Sequence, residues 1–115
     1  MRKSPKTTPK MLFVYTTVAK KTDATRIADR LLREHLAACV SISAPTESRY
    51  RWQGKLFREK EYLLIIKTVK KAFAALEKCL LKIHPYDCPE IVAVPTEQVT
   101  SAYAAWLQGQ VKIPK

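Results

Sequence analysis

A chain of 115 residues has room for one domain and not for two. Apolar residues at 47% and charged residues at 27% are globular proportions, which excludes long disorder. The longest aliphatic run, Leu63–Ile66, falls far short of the ~20 residues a bilayer span requires, and the formal charge of +11 is concentrated toward the two ends.

The first ten residues carry Arg2, Lys3, Lys6 and Lys10 and no acid. The segment is not expected to be a secretory signal. Residues 1–10 are expected to form a basic flexible tail, 11–111 the folded domain and 112–115 a second short tail.

Met11–Thr17 is rich in β-branched and aromatic residues and predicts a strand. Thr22 followed by Asp23 predicts a helix start, with Thr22 as the cap. Ala24, Ile27, Ala28, Leu31, Leu32 and Leu36 then recur at helical spacing, which extends the helix to about Leu36. Val40, Ile42 and Ala44 alternate with Ser41 and Ser43 as in a half-buried strand, and Pro45 breaks or bulges it. Tyr50–Lys55 resumes an extended pattern and reaches Gly54. Lys60–Val69 is a long strand that is apolar on both faces, so it should lie centrally. A long hairpin joined near Gly54 follows.

Phe73, Leu76, Leu80 and Ile83 step as a second amphipathic helix. It should stop at His84, because Pro85 disfavours helical geometry in the residue before it. Glu90–Pro95 predicts a short strand, and Pro95 directs it to an edge. Thr100 or Ser101 caps a last helix with Tyr103, Trp106 and Leu107 inward and Gly109 at its end. The order is β-α-β-β-α-β plus a short helix. With right-handed crossovers it predicts an α+β, ferredoxin-like sandwich. Its second sheet face has no helix assigned to it, which predicts oligomerisation.

The cysteines are Cys39, Cys79 and Cys88. An odd number without paired spacing argues against a disulfide framework and fits a reducing cytoplasm. The densest chemistry is His84-Pro85-Tyr86-Asp87-Cys88-Pro89-Glu90. Imidazole, thiol and carboxylate are ligand types for copper or zinc. The plainer reading is a helix-end histidine, a buried cysteine and a solvated glutamate. His35 near the end of the first helix reads as structural. Tyr50, Trp52 and Tyr62 lie among Arg49, Arg51, Lys55 and Lys67, but aromatics on a hairpin are more often packing or interface anchors than base-stacking platforms. Nucleic acid is not an expected partner, and neither is a membrane. No nucleophile, phosphate-loop or zinc-protease motif is present, so no catalytic residue is assigned.

LAACVSI (Leu36–Ile42), YRWQGK (Tyr50–Lys55), Glu61 with Lys67-Thr68, HPYDCPEI (His84–Ile91) and the closing Tyr103-Ala104-Ala105-Trp106-Leu107 resemble the divalent-cation tolerance protein CutA family. The resemblance runs from about Met11 to Val111. It implies a tight homotrimer in which long hairpins pair with neighbouring subunits, similar to the PII signalling trimers. It implies a role in tolerance to divalent metals, copper above all, and no catalytic reaction. The metal ligands it implies are His84 and Glu90. A further cysteine at the end of the first strand maps onto Thr16, and Cys88 is the thiol nearest in sequence to replace it.

The expected function is therefore a cytoplasmic homotrimer that responds to divalent ions, binding Cu(II) or a similar ion weakly at His84, Glu90 and Cys88. No obligatory cofactor is expected. An alternative is a PII-like module holding a small anionic ligand in an intersubunit cleft, with Trp52, Glu61, Lys67 and Tyr86 as its lining. A third reading is an interaction scaffold working through the basic tail.

Overall fold

The computed structural model describes residues 10–113. Nearly all of the basic tail, and the last two residues, lie outside the described residues. Five strands and three helices follow one another as β1 (Met11–Val18), α1 (Lys21–Arg33), β2 (Cys39–Ile42), β3 (Thr46–Trp52), β4 (Lys55–Val69), α2 (Phe73–Ile83), β5 (Val92–Pro95) and α3 (Ser101–Gln110). A single 3-10 turn, Lys70–Ala72, leads into α2.

The strands form one antiparallel α+β sheet ordered β2-β4-β1-β5, with β3 paired to the first half of β4. The second half of β4 is central, as its two apolar faces require: Leu64 lies between Thr16 of β1 and Ile42 of β2. Short β5 closes one edge, and Pro95 ends it where a missing N–H costs least. The hairpin is longer than the sequence pattern indicated. β4 begins at Lys55 and not Lys60, and β3 begins at Thr46 and not Tyr50.

One face of the sheet is packed. Leu12, Val14, Val18, Leu64 and Ile66 meet Ala24, Ile27 and Leu31 of α1 and Leu76 and Leu80 of α2. The opposite face carries Phe13, Tyr15, Leu63, Ile65 and Lys67 by strand alternation. Val92 and Val94 continue it and are 49% and 46% exposed. Among the described residues only α3 reaches this face, at one end, where Ala104 and Leu107 pack on Met11 and Val69.

Three details differ from the sequence reading. Thr22 is not the cap of α1; the helix begins at Lys21, and Lys20 holds the cap position without a side-chain bond. The helix ends at Arg33, before Leu36. His35 takes a left-handed φ of 58°, which lets its N–H reach Leu32 O and the Leu36 N–H reach Leu31 O. This is a Schellman closure, and it turns Leu36 back into the core beside Leu31. In α3, Trp106 is 46% exposed and not inward; Ala104 and Leu107 fill the inner face, and Gly109 lies within the helix.

The β3–β4 hairpin projects from this body. The described residues span 61 × 25 × 24 Å, with a radius of gyration of 15.9 Å where a compact chain of this length gives about 13 Å. Its tip is a two-residue loop in which Gln53 (φ 50°) and Gly54 (φ 78°) both have positive φ, as a type I′ turn demands. Nothing crowds a Cβ at Gly54. Gly54→Ala should therefore cost only the left-handed backbone penalty, about 1 kcal/mol, read by chemical denaturation. A loss several times larger would mean that the tip is packed against something.

Candidate functional site

The site is built where the end of α2 meets the base of the hairpin. Pro85 stops α2, and His84 adopts an extended backbone (ψ 136°) that turns its ring beneath β1. The ring is 8% exposed. Its Nδ1 accepts the Tyr86 N–H at 3.1 Å. Its Nε2 lies 3.1 Å from the Thr17 carbonyl and 3.0 Å from the Thr16 hydroxyl. A carbonyl only accepts, so the proton sits on Nε2 and the ring is neutral. Burial pulls its pKa below the usual histidine value, opposed in part by the Thr17 carbonyl. Both ring nitrogens are thus engaged in fixing the loop.

The fixed loop places Tyr86 against the hairpin. Its hydroxyl donates to Glu61 Oε2 at 2.6 Å. Burial, and then this bond, push the phenol well above its usual range. Glu61 is only 5% exposed and makes no ion pair among the described residues. Two residues earlier on the same strand face, Glu59 accepts the Tyr50 hydroxyl at 2.5 Å. That bond pushes the exposed Tyr50 phenol up to about 12. Tyr50 in turn stacks on Phe57, its cross-strand neighbour, with centroids 5.4 Å apart.

Between loop and hairpin opens a cleft of about 580 Å3. Tyr50, Trp52 and Tyr86 supply its aromatic walls, and Glu59, Glu61, Asp87 and Glu90 supply carboxylates. Thr17, Ser48, Arg49 and Cys88 complete the lining.

Of the residues the sequence singled out, Trp52, Glu61 and Tyr86 line this cleft, with Glu61 and Tyr86 bonded at the hairpin base and Trp52 toward the tip, where it pairs with Lys55. Lys67 does not. It points to the same sheet face as Glu61 but stands six residues along β4, about 20 Å away. There its ammonium donates to Ser41 Oγ at 3.2 Å and lies over the Phe13 ring. Cys88 and Glu90 are exposed at the cleft, whereas His84 is buried behind the loop. Among the described residues no three His, Cys, Asp or Glu side chains form a group that could hold a metal ion. All three cysteines are free. The sequence reading missed Glu59 as a lining residue. Its i,i+2 spacing from Glu61 would have placed it, had β4 been started at Lys55.

Fold and cleft define a small α+β domain with a projecting hairpin and an acidic, aromatic-walled recess between that hairpin and the loop after α2. The chain belongs to the family described as CutA1 divalent ion tolerance protein, whose family model matches residues 12–110. The divalent-cation tolerance protein CutA of Thermus thermophilus is 42% identical over 95 residues, 83% of this chain and 92% of that protein. A chloroplastic protein CutA of Arabidopsis thaliana is 37% identical over 112 residues, 97% of this chain, and this chain spans only 61% of that longer protein. The crystal structure of CutA1 from Oryza sativa superposes with a TM-score of 0.88 at 38% identity, covering 91% of this chain and 96% of that one. No described helix is long and apolar enough to cross a membrane.

Proposed function

We propose that this protein serves divalent-cation tolerance as a cytoplasmic homotrimer with the ferredoxin-like arrangement, taking up Cu(II) or a similar ion weakly at the His84–Glu90 loop. The observation that carries the assembly is the open sheet face. Phe13, Tyr15, Leu63, Ile65, Val92 and Val94 form an apolar surface that no helix among the described residues covers, apart from the end beneath α3. A contiguous patch of this kind on a small domain marks an interface. The projecting hairpin gives each copy an arm with which to reach the next. Ile65→Asp should convert the assembly to monomers in native mass spectrometry; a trimer that survives the substitution would remove this face from the interface.

For the ion, the exposed Cys88 and Glu90 are the accessible ligands. His84 can join them only by giving up one of its ring hydrogen bonds, from Tyr86 N–H at Nδ1 or to the Thr17 carbonyl at Nε2. Copper titration followed by native mass spectrometry tests the reading. Discrete ions should bind the wild-type protein and be lost in Cys88→Ser and Glu90→Gln, with His84→Ala alongside. Equal uptake by wild type and variants would end it. The anionic-ligand alternative needs Lys67 from a neighbouring copy, because within one chain Lys67 is remote and four carboxylates line the cleft. The scaffold reading depends on a tail that lies outside the described residues.

A further inference from the structure

The open sheet face carries two charges that a single chain leaves unmatched. By strand parity Phe13, Ser41, Ile65 and Val94 share this face with Lys67 and, at the hairpin base, with Glu61. Lys67 is half-buried. Its ammonium has three N–H donors and spends one on Ser41 Oγ at 3.2 Å, above the Phe13 ring. Glu61 is buried. Its Oε2 accepts the Tyr86 hydroxyl, and its Oε1 takes no hydrogen bond among the described residues. No sealed side-chain oxygen of the described residues lacks a partner, so Oε1 opens on the cleft that Glu61 lines.

Association can only add to this burial. Covering the apolar face takes the Lys67 ammonium further out of water, which is costly unless a carboxylate meets it. Glu61 of the same chain cannot, because extended β4 holds the two about 20 Å apart. Opposite charges at opposite ends of one face suit a head-to-tail ring, in which each copy turns one end to the next copy and the other end to the last. We propose that in the assembly Lys67 of one copy reaches the cleft beside the hairpin of the next and pairs with Glu61 there. Each contact in the ring then carries one buried ion pair. The same face holds one more cation and one more carboxylate on the hairpin, Lys55 and Glu59. Lys55 is exposed at the tip, and Glu59 is exposed and holds Tyr50, so burial does not oblige either to find a partner. This pairing rests on the trimer proposed above and names the side chains that set its register.

A double-mutant cycle tests it. Wild type, Glu61→Gln, Lys67→Met and the double variant are compared by sedimentation, in urea at a concentration that partly dissociates the wild-type trimer. Each single substitution should raise the dissociation constant about thirtyfold or more, and the double variant should rise little further. Side chains this far apart in one chain contribute independently, so a shared loss reports contact between copies. Glu61→Gln keeps an acceptor for the Tyr86 hydroxyl. If that variant misfolds, zero-length carbodiimide cross-linking of the wild-type trimer carries the test. Peptide mass spectrometry should find Glu61 joined to Lys67, a link no single chain can make. Lys67→Arg should abolish the link and leave the trimer intact.

Losses that simply add would overturn the pairing. So would coupling of Lys67 to Glu59 in a parallel cycle with Glu59→Gln, or cross-linking that joins Lys67 to another carboxylate or to none. Each of these outcomes leaves the trimer standing. A monomeric wild type would overturn the pairing and the assembly together. Ile65→Asp reads the apolar face without touching either charge, so failure here and failure of the trimer reading remain distinguishable.

Discussion

Ile66→Ala should destabilise the protein by about 2–5 kcal/mol, a large share of the roughly 5–15 kcal/mol that holds a domain together. Ile66 is fully buried in the strand with neighbours on both sides, paired with Val14 of β1 and Val40 of β2. The side chains of α1 and α2 close over it in the same core. A site confined by strands laterally and helices above cannot collapse into the space left by the lost carbons, so the cavity cost adds to the transfer cost. Ile66→Val should cost about 1 kcal/mol. Leu56→Ala, near the hairpin tip and 75% exposed, should leave stability nearly unchanged. Urea denaturation at one fixed protein concentration checks all three, since association would otherwise shift the midpoint. An alanine variant losing less than the valine variant would show that this core relaxes freely.

The same burial explains which parts of the fold were legible in the sequence. β1 and the second half of β4 meet helices on one face and carry apolar residues on the other as well, so they read as near-continuous β-branched and aliphatic runs whose positions can be read directly. The first half of β4 reads Lys-Leu-Phe-Arg-Glu-Lys-Glu. There the hairpin has left the body, solvent reaches most of its surface, and hydrophobic alternation vanishes. Only the pairing with β3 defines that segment as strand. The end of α1 was obscured for another reason. Leu36 belongs to the apolar pattern of the helix, yet it is buried through a chain reversal at His35, and a non-glycine residue gives no signal for left-handed backbone. Trp106 kept helical spacing with Tyr103 and Leu107, but α3 covers only the end of the sheet and buries a narrower face.

The site was legible where residues came from adjacent register positions and illegible where distance along a strand mattered. Glu61 and Lys67 share a face by parity, and parity alone would group them. Six residues of extended chain separate them by about 20 Å. Tyr50 and Glu59 are joined only by cross-strand register, which a start of β4 at Lys60 erases. The His84–Glu90 loop stood out by composition, but composition could not show that its histidine turns inward while its thiol and carboxylate stay exposed.

His84→Ala should release that loop and cost about 2–4 kcal/mol, because it leaves the Thr17 carbonyl and the Tyr86 N–H without their partner in a largely buried place. The Tyr86–Glu61 bond depends on the same loop position, so the cleft should widen as well. A pH signature separates this anchoring role from plain packing. Burial lowers the folded-state pKa of His84 below the unfolded value of about 6.5. Between those two values the unfolded chain binds the proton and the folded chain does not, so stability rises with pH. The contribution is therefore complete above about pH 6.5, shrinks as pH falls through 6.5 toward the folded pKa, and is constant below it. The difference in stability between wild type and His84→Gln, followed by urea denaturation from neutral to mildly acidic pH, should narrow as pH falls. A difference that stays constant over that window would mean that the imidazole is as readily protonated in the folded protein as in the unfolded chain. In that case the hydrogen bond from Tyr86 N–H to Nδ1 would give the neutral ring no net advantage over the protonated one, which cannot accept it.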